Sequence, residues 1–262
     1  MGNLDAKAEN WITFRPAIGG IQIHLNETQH YGVGTLGFAA IDEYGNTGYV
    51  TAEHVVDDTQ YQIWQPYDYG DDDYKLGKAT RESDLDYSDS AWVPCDSTFA
   101  VLPKVYNPTI GSNDDFFVES FSDSEEGDYV YFAGIISNLQ GGTVINDDEE
   151  VWNFHCGRLY HQCTMNASAI NGDSGSPVFK MLDNNSIEIV GLLQGINNGN
   201  VVYSHISYVN DDLDVAPYTV YDMIIPGQTY PPNDLDGDGL YEDLTGDGTF
   251  GFDDVVCLFN MV

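Results

Sequence analysis

The chain has 262 residues, 42% hydrophobic and 13% aromatic, a composition that buries a core and excludes intrinsic disorder. Its 43 acidic against 8 basic residues give a formal net charge of −35, which excludes nucleic acid and anionic membrane surfaces as partners, because both are bound through Lys and Arg. No apolar run approaches the roughly 18 residues of a membrane span, and the opening "MGNLDAKAENW" lacks a basic-then-apolar signal region, so either a signal peptide was removed or the protein is not secreted.

Residues 18–56 read as a β series, with "GTLGFAAID" and "TGYVTAEHVV" joined by the turn cluster "EYGN". "YQIWQP" and "SAWVPC" are further short strands, on either side of an acidic loop over 67–90. A polar connection over 105–128 divides the chain into two β units. The second unit carries "GDYVYFAGII", "VWNFHCGRLY", "SPVFKM", "IEIVGLLQGI" and "NVVYSHISYV" as strands. Short strands at regular spacing, with turn signals and almost no helical period, predict an all-β barrel or sandwich architecture. The Pro- and Gly-rich "IIPGQTYPPN" reads as a linker, and beyond it the composition turns abruptly acidic.

"NGDSGSPVF" (171–179) sets Ser174 in a glycine-flanked turn. By itself this is either a nucleophile or only a turn, because a serine hydroxyl needs a base, and the base needs an orienting carboxylate. Of six histidines, His54 stands out by ending a strand-like run with small residues before it. The four cysteines, Cys95, Cys156, Cys163 and Cys257, match no zinc spacing. A bridge between Cys156 and Cys163 and buried free thiols both remain open.

"VTAEHVV" resembles the Thr-Ala-x-His signature of chymotrypsin-like serine proteases, and "NGDSGSPVF" resembles their Gly-Asp-Ser-Gly-Gly-Pro signature, with Ser176 in place of the second glycine. Between them "SDSAWVP" is similar to the family's Asp-x-Ala segment, so the order is His54, Asp89, Ser174. "IVGLLQG" and "VVYSHISYV" resemble its cleft strand and closing strand, and the likeness runs from about residue 19 to Tyr208. The resemblance implies two antiparallel Greek-key β-barrels over residues 1–225. It implies Ser174 as nucleophile, His54 as base and Asp89 as its orienter, with no cofactor for catalysis. Asp86 in "DLDYSDSAW" rivals Asp89; Ala91, Trp92 and Val93 favour Asp89. The amides of Gly172 and Ser174 would form an oxyanion hole, and Asp173 would hold the turn through an ion pair or hydrogen bonds. Ser168 would sit at the base of the primary pocket, with Gln194 and Gly195 lining its wall; a serine there offers no fixed charge for Lys or Arg. His205 is open between a pocket histidine that favours acidic side chains and a surface residue on the last strand.

After the linker (226–233), residues 234–262 form a separate module. "DLTGDGTFGFDD" has a calcium-loop pattern: Asp243, Thr245 and Asp247 alternate, Gly248 makes the turn, Thr249 follows, and Asp254 stands at position 12 ahead of the helix-like "DVVCLFNMV". Asp234, Asp236 and Asp238 offer a second, overlapping loop. The tail resembles dockerin modules, EF-hand-like loops and helices that bind cohesin domains, which implies structural calcium and a cohesin partner. High salt and calcium both account for carboxylate excess, and both point to an extracellular, halophilic or calcium-bearing setting. The reading is a secreted serine endopeptidase acting on protein or peptide substrates. Its alternative is a catalytically silent protease-fold binding protein that works through the tail.

Overall fold

The computed structural model of the chain describes residues 12–26, 31–56, 59–68, 70–84, 86–96, 99–109, 115–153, 157–183, 185–225, 227–233, 235 and 241–260. The chain divides into two compact units, Met1–Tyr218 and Thr219–Val262.

The first unit opens with strands β1 (Ala17–Gly19), β2 (Gln22–Asn26), β3 (Tyr31–Thr35), β4 (Phe38–Asp42) and β5 (Thr47–Thr51), then the one-turn helix α1 (Glu53–Val56). It continues with β6 (Ile63–Trp64), β7 (Arg81–Glu82), β8 (Ala91–Pro94) and β9 (Val101–Val105). There follow β10 (Phe116–Phe121), β11 (Tyr129–Gly134), β12 (Asn138–Asn153), β13 (Gly157–Met165), β14 (Pro177–Asp183), β15 (Ser186–Asn197), β16 (Asn200–His205), helix α2 (Ile206–Leu213) and β17 (Val215–Pro217). The β4–β5 hairpin forms where "EYGN" predicted it. Asp42 Oδ1 accepts the amides of Tyr44 (3.0 Å) and Asn46 (2.9 Å), and Gly45 supplies the positive φ of 84° that the turn requires.

Strand pairing runs β15-β14-β11-β12-β13-β16, and β16 pairs back onto β15, which closes a ring of six strands. Within it β14 lies beside β11, ahead of β12 and β13, the spatial order of a Greek key. The N-terminal strands instead form a five-stranded sheet, β17-β4-β5-β8-β7, and a three-stranded sheet, β3-β2-β6. One apolar cluster fills the N-terminal part around Tyr49, Leu76 and Ile23, and another fills the ring around Phe132, Met165 and Tyr203. Between them Phe38, Val50 and Trp92 pack against Phe179, Leu192 and the buried face of α2. Burial of these side chains, each contributing about 1.5–3 kcal/mol, joins the two halves into one body.

The structure corrects the sequence reading at four places. The polar connection over 105–128 contains a strand, β10, which pairs with β9 and β15. The two β units are therefore not separated there, because β1 and β9 belong to the same nine-stranded sheet as the ring. "NVVYSHISYV" is strand only to His205; from Ile206 the apolar residues Ile206, Val209 and Leu213 follow helical spacing and are buried as one face of α2. The break between units falls at Thr219, ahead of the expected linker at 226–233. β17 and Tyr218 are held by β4, while Thr219 caps the 3-10 turn Val220–Met223 with Asp222.

In the second unit, Asn233 and Asp243 pair in an antiparallel bridge, and α3 (Phe252–Asn260) forms where "DVVCLFNMV" predicted a helix. No helix among the described residues is long and apolar enough to cross a membrane.

Candidate active site

Antiparallel pairing of β5 with β8 sets Thr51 opposite Ala91. The residues just past Thr51 therefore lie against those just before Ala91, which delivers His54, on α1, to Asp89. His54 Nδ1 lies 2.5 Å from Asp89 Oδ2, and the His54 main-chain N–H donates to Asp89 Oδ1 at 3.0 Å. Asp89 is buried at 1% exposure, whereas Asp86 is exposed, its carbonyl accepting the Tyr160 amide. The rival is thus placed away from the imidazole. Burial alone would push the His54 pKa down, but the charge and hydrogen bond of Asp89, with Glu53 nearby, outweigh it and hold the imidazole above its ordinary value.

Ser174 lies on the turn between β13 and β14. Asp173, fully buried, makes that turn rigid: Oδ1 accepts the amides of Ile136 (2.9 Å) and Ser137 (3.0 Å), and Oδ2 accepts the Ser137 hydroxyl (2.5 Å) and the Ile170 amide (2.8 Å). Among the described residues hydrogen bonds, rather than an ion pair, hold this carboxylate. Gly172 and Gly175 carry φ values of 109° and 85°. A Cβ on Gly175 would meet the Thr35 carbonyl and the Thr51 hydroxyl at 2.4 Å, so only glycine fits there. Ser176, where the family pattern has glycine, turns its hydroxyl into the Asp173 carbonyl at 2.6 Å and is accommodated without strain.

Thr35 was not singled out from the sequence, yet it braces the turn from the other half of the unit. Its amide donates to the Ser174 carbonyl (2.9 Å) and its hydroxyl to the Gly172 carbonyl (2.9 Å). A lone threonine at a strand end carries no sequence signal for such a role. Among the described residues the Ser174 hydroxyl reaches only the Gln194 carbonyl, at a long 3.4 Å, which leaves it free to turn. Among the described residues the amides of Gly172 and Ser174 donate to no protein acceptor.

His54, Gly172 and Ser174 line one cleft of about 680 Å³, together with Gln194 and Gly195. Ser168 is not brought into it. It is exposed, and Ala169 and Ile170 take the lining positions. His205 is neither a pocket nor a surface residue: it is buried at 8% exposure, with Nε2 at 2.8 Å from the Asp147 carbonyl and 3.2 Å from Cys163 Sγ. Cys163 is a free thiol that burial pushes up to about 12, so it stays protonated. Its candidate bridge partner Cys156 lies outside the described residues.

Of the expected metal ligands, Asp234, Asp236 and Asp238 lie outside the described residues. The buried carboxylates of Asp243 and Asp254 meet on the Thr245 hydroxyl, at 3.2 and 3.0 Å. Asp247 is exposed and accepts the amide and hydroxyl of Thr249. Burial would push the Asp243 carboxyl up, but the Asn233 side chain and the loop amides, led by Gly248, hold it below its ordinary value. Among the described residues no three His, Cys, Asp or Glu side chains group around one metal position.

Neither a protein-family model nor a curated protein sequence matches the chain. Solved structures do. Thermobifida fusca protease A superimposes with a TM-score of 0.60 at 20% identity, over 77% of this chain and 98% of that one. A glutamic acid-specific serine protease that uses a histidine triad in substrate binding gives 0.62 at 19%, over 77% and 100%. The Cellulomonas bogoriensis chymotrypsin gives 0.58 at 19%, over 77% and 98%. The chain has the fold of bacterial chymotrypsin-like serine proteases.

Proposed function

We propose that this chain is a serine endopeptidase. The observation that carries the reading is the buried Asp89 bonded to His54 Nδ1, with His54 lining the same cleft as Ser174 on its hydrogen-bonded turn. In the reaction, Ser174 Oγ attacks the scissile carbonyl and His54 Nε2 takes the hydroxyl proton. Asp89 fixes the tautomer that exposes Nε2 and stabilises the imidazolium. The amides of Gly172 and Ser174 receive the charge developing on the carbonyl oxygen. His54 then hands the proton to the leaving amine, the C–N bond breaks, and an acyl-enzyme on Ser174 remains. Water, deprotonated by His54, attacks the acyl carbon and frees Ser174 and the carboxylic acid product.

The test is labelling of the wild-type protein, in salt and calcium, with a fluorophosphonate that carries a reporter. One equivalent on Ser174 is expected, and none on a His54→Ala variant, whose serine lacks its base. A folded wild type that takes up no label sinks the peptidase reading and leaves the catalytically silent binding protein.

The second unit is read as a calcium-binding, dockerin-like module that acts outside the cell, with a cohesin as the partner the resemblance implies. What supports calcium is the donor chemistry. Asp243 and Asp254 are buried carboxylates sharing one threonine hydroxyl, Asp247 and Thr249 stand on the same loop, and no Lys or Arg follows Lys180 to neutralise them. Carboxylate and hydroxyl oxygens suit a hard cation. Calcium at 100 times its Kd should stabilise the folded module by about 2.7 kcal/mol, and Asp247→Ala should blunt that gain. Melting curves with calcium and with chelator measure it, and equal curves for the wild type would remove the metal assignment.

A further inference from the structure

The cleft's lining carries more than the reactive groups. We infer that it selects an uncharged, apolar side chain on the acyl side of the scissile bond, an inference that rests on the peptidase reading above. Its interior is formed by Val151, Ala169, Leu193 and Val202, all at 8% exposure or less. Val151 and Val202 come from β12 and β16 and pack into none of the three apolar clusters of the core, so they face the cleft. Around its mouth stand Trp152, Ile170 and Ile196, at 71%, 58% and 50% exposure. Large apolar side chains left in solvent at the rim of a cleft mark a surface built to be covered.

No Asp, Glu, Lys or Arg is among the described residues that line this cleft, and among them His54 is the one titratable group. A lysine or glutamate side chain seated on that floor would lose its water without gaining a partner there. The polar member of the floor, Gln194, is tied down. Its Nε2 donates to Gln162 Oε1 at 3.0 Å, and the same oxygen accepts the Ser204 hydroxyl at 2.9 Å. Gln162 in turn donates to the Tyr87 and Tyr160 carbonyls at 2.8 and 2.6 Å. This buried network keeps the floor neutral and fixed. A histidine triad serves the glutamic acid-specific neighbour; here His54, already bound to Asp89, is the one described histidine in the cleft.

The experiment uses fluorogenic peptides identical except at the residue before the scissile bond, with leucine, phenylalanine, alanine, lysine or glutamate there. Active sites are counted by fluorophosphonate titration. The wild type should cleave the better of the leucine and phenylalanine peptides about 100-fold or more faster, in kcat/KM, than either charged peptide. Val151→Phe, with its folding checked by melting, should lower the leucine and phenylalanine rates about tenfold while sparing alanine. A labelled enzyme that prefers lysine or glutamate, or that cleaves all five alike, overturns the inference and leaves the peptidase reading intact. An enzyme that takes no label and cleaves nothing takes down both. If Val151→Phe does not fold, the wild-type profile decides the question.

Discussion

Replacing Ser174 with alanine will lower kcat about a million-fold, or about 8 kcal/mol of barrier, and leave the fold untouched. The size follows from the loss of the nucleophile itself, since neither the amides of Gly172 and Ser174 nor the cleft can supply a new one. The innocence toward stability follows from the hydroxyl's surroundings. Among the described residues its one hydrogen-bond partner is the Gln194 carbonyl, at 3.4 Å, while the turn is held by Asp173, Thr35 and the two glycines. Turnover of a peptide amide and a melting curve on the same preparation measure both halves. A variant that keeps a tenth of wild-type turnover, or melts far below it, removes Ser174 from the proposed role.

Asp89→Asn should cost about ten-thousand-fold in kcat, for a different reason. The amide oxygen can still accept the His54 main-chain N–H, so the local geometry survives. The amide nitrogen, however, would face His54 Nδ1 as a donor and drive the ring proton to Nε2, the atom that must receive the proton of Ser174. The same substitution moves the pH profile. In the wild type Asp89 holds the His54 pKa above about 6.5, and the base works only when neutral, so kcat/KM rises with pH through a limb above that value. Without the Asp89 charge, burial of the ring is opposed only by Glu53, and the limb shifts to lower pH. Residual activity with an unmoved limb would show that Asp89 does not act on His54.

The sequence pointed to His54, Asp89 and Ser174 because each sits in a short local pattern, and the structure brings His54 to Asp89 and puts His54 and Ser174 in one cleft. "VTAEHVV", "SDSAWVP" and "NGDSGSPVF" are each shaped by nearby constraints: a strand that stops, a strand about to begin, and a turn with two positive-φ glycines. Hairpin turns were legible for the same reason. What was lost depends on partners far along the chain. Nothing around Thr35 announces that its hydroxyl closes on Gly172, and nothing around Gln162 announces the network under Gln194. Ser168, expected at the pocket base by counting back from Ser174, is exposed and outside the lining of the cleft, a placement that depends on the loop around it rather than on a count. "YSHISYV" satisfies both a two-residue and a helical period, and only packing against the core decided for helix after His205.

The bond from the Thr35 hydroxyl to the Gly172 carbonyl spans 137 positions of sequence. A contact of that span is among the last a chain makes, because the entropy of closing so long a loop is lost before the contact repays it. His54 and Asp89 likewise belong to the half that emerges first from the ribosome, and Ser174 to the half that emerges later. If the proposed roles hold, a partly folded molecule has the base without the nucleophile, or the nucleophile on an unbraced turn. On that reading the chain gains the means to cut only after its own two halves have folded together.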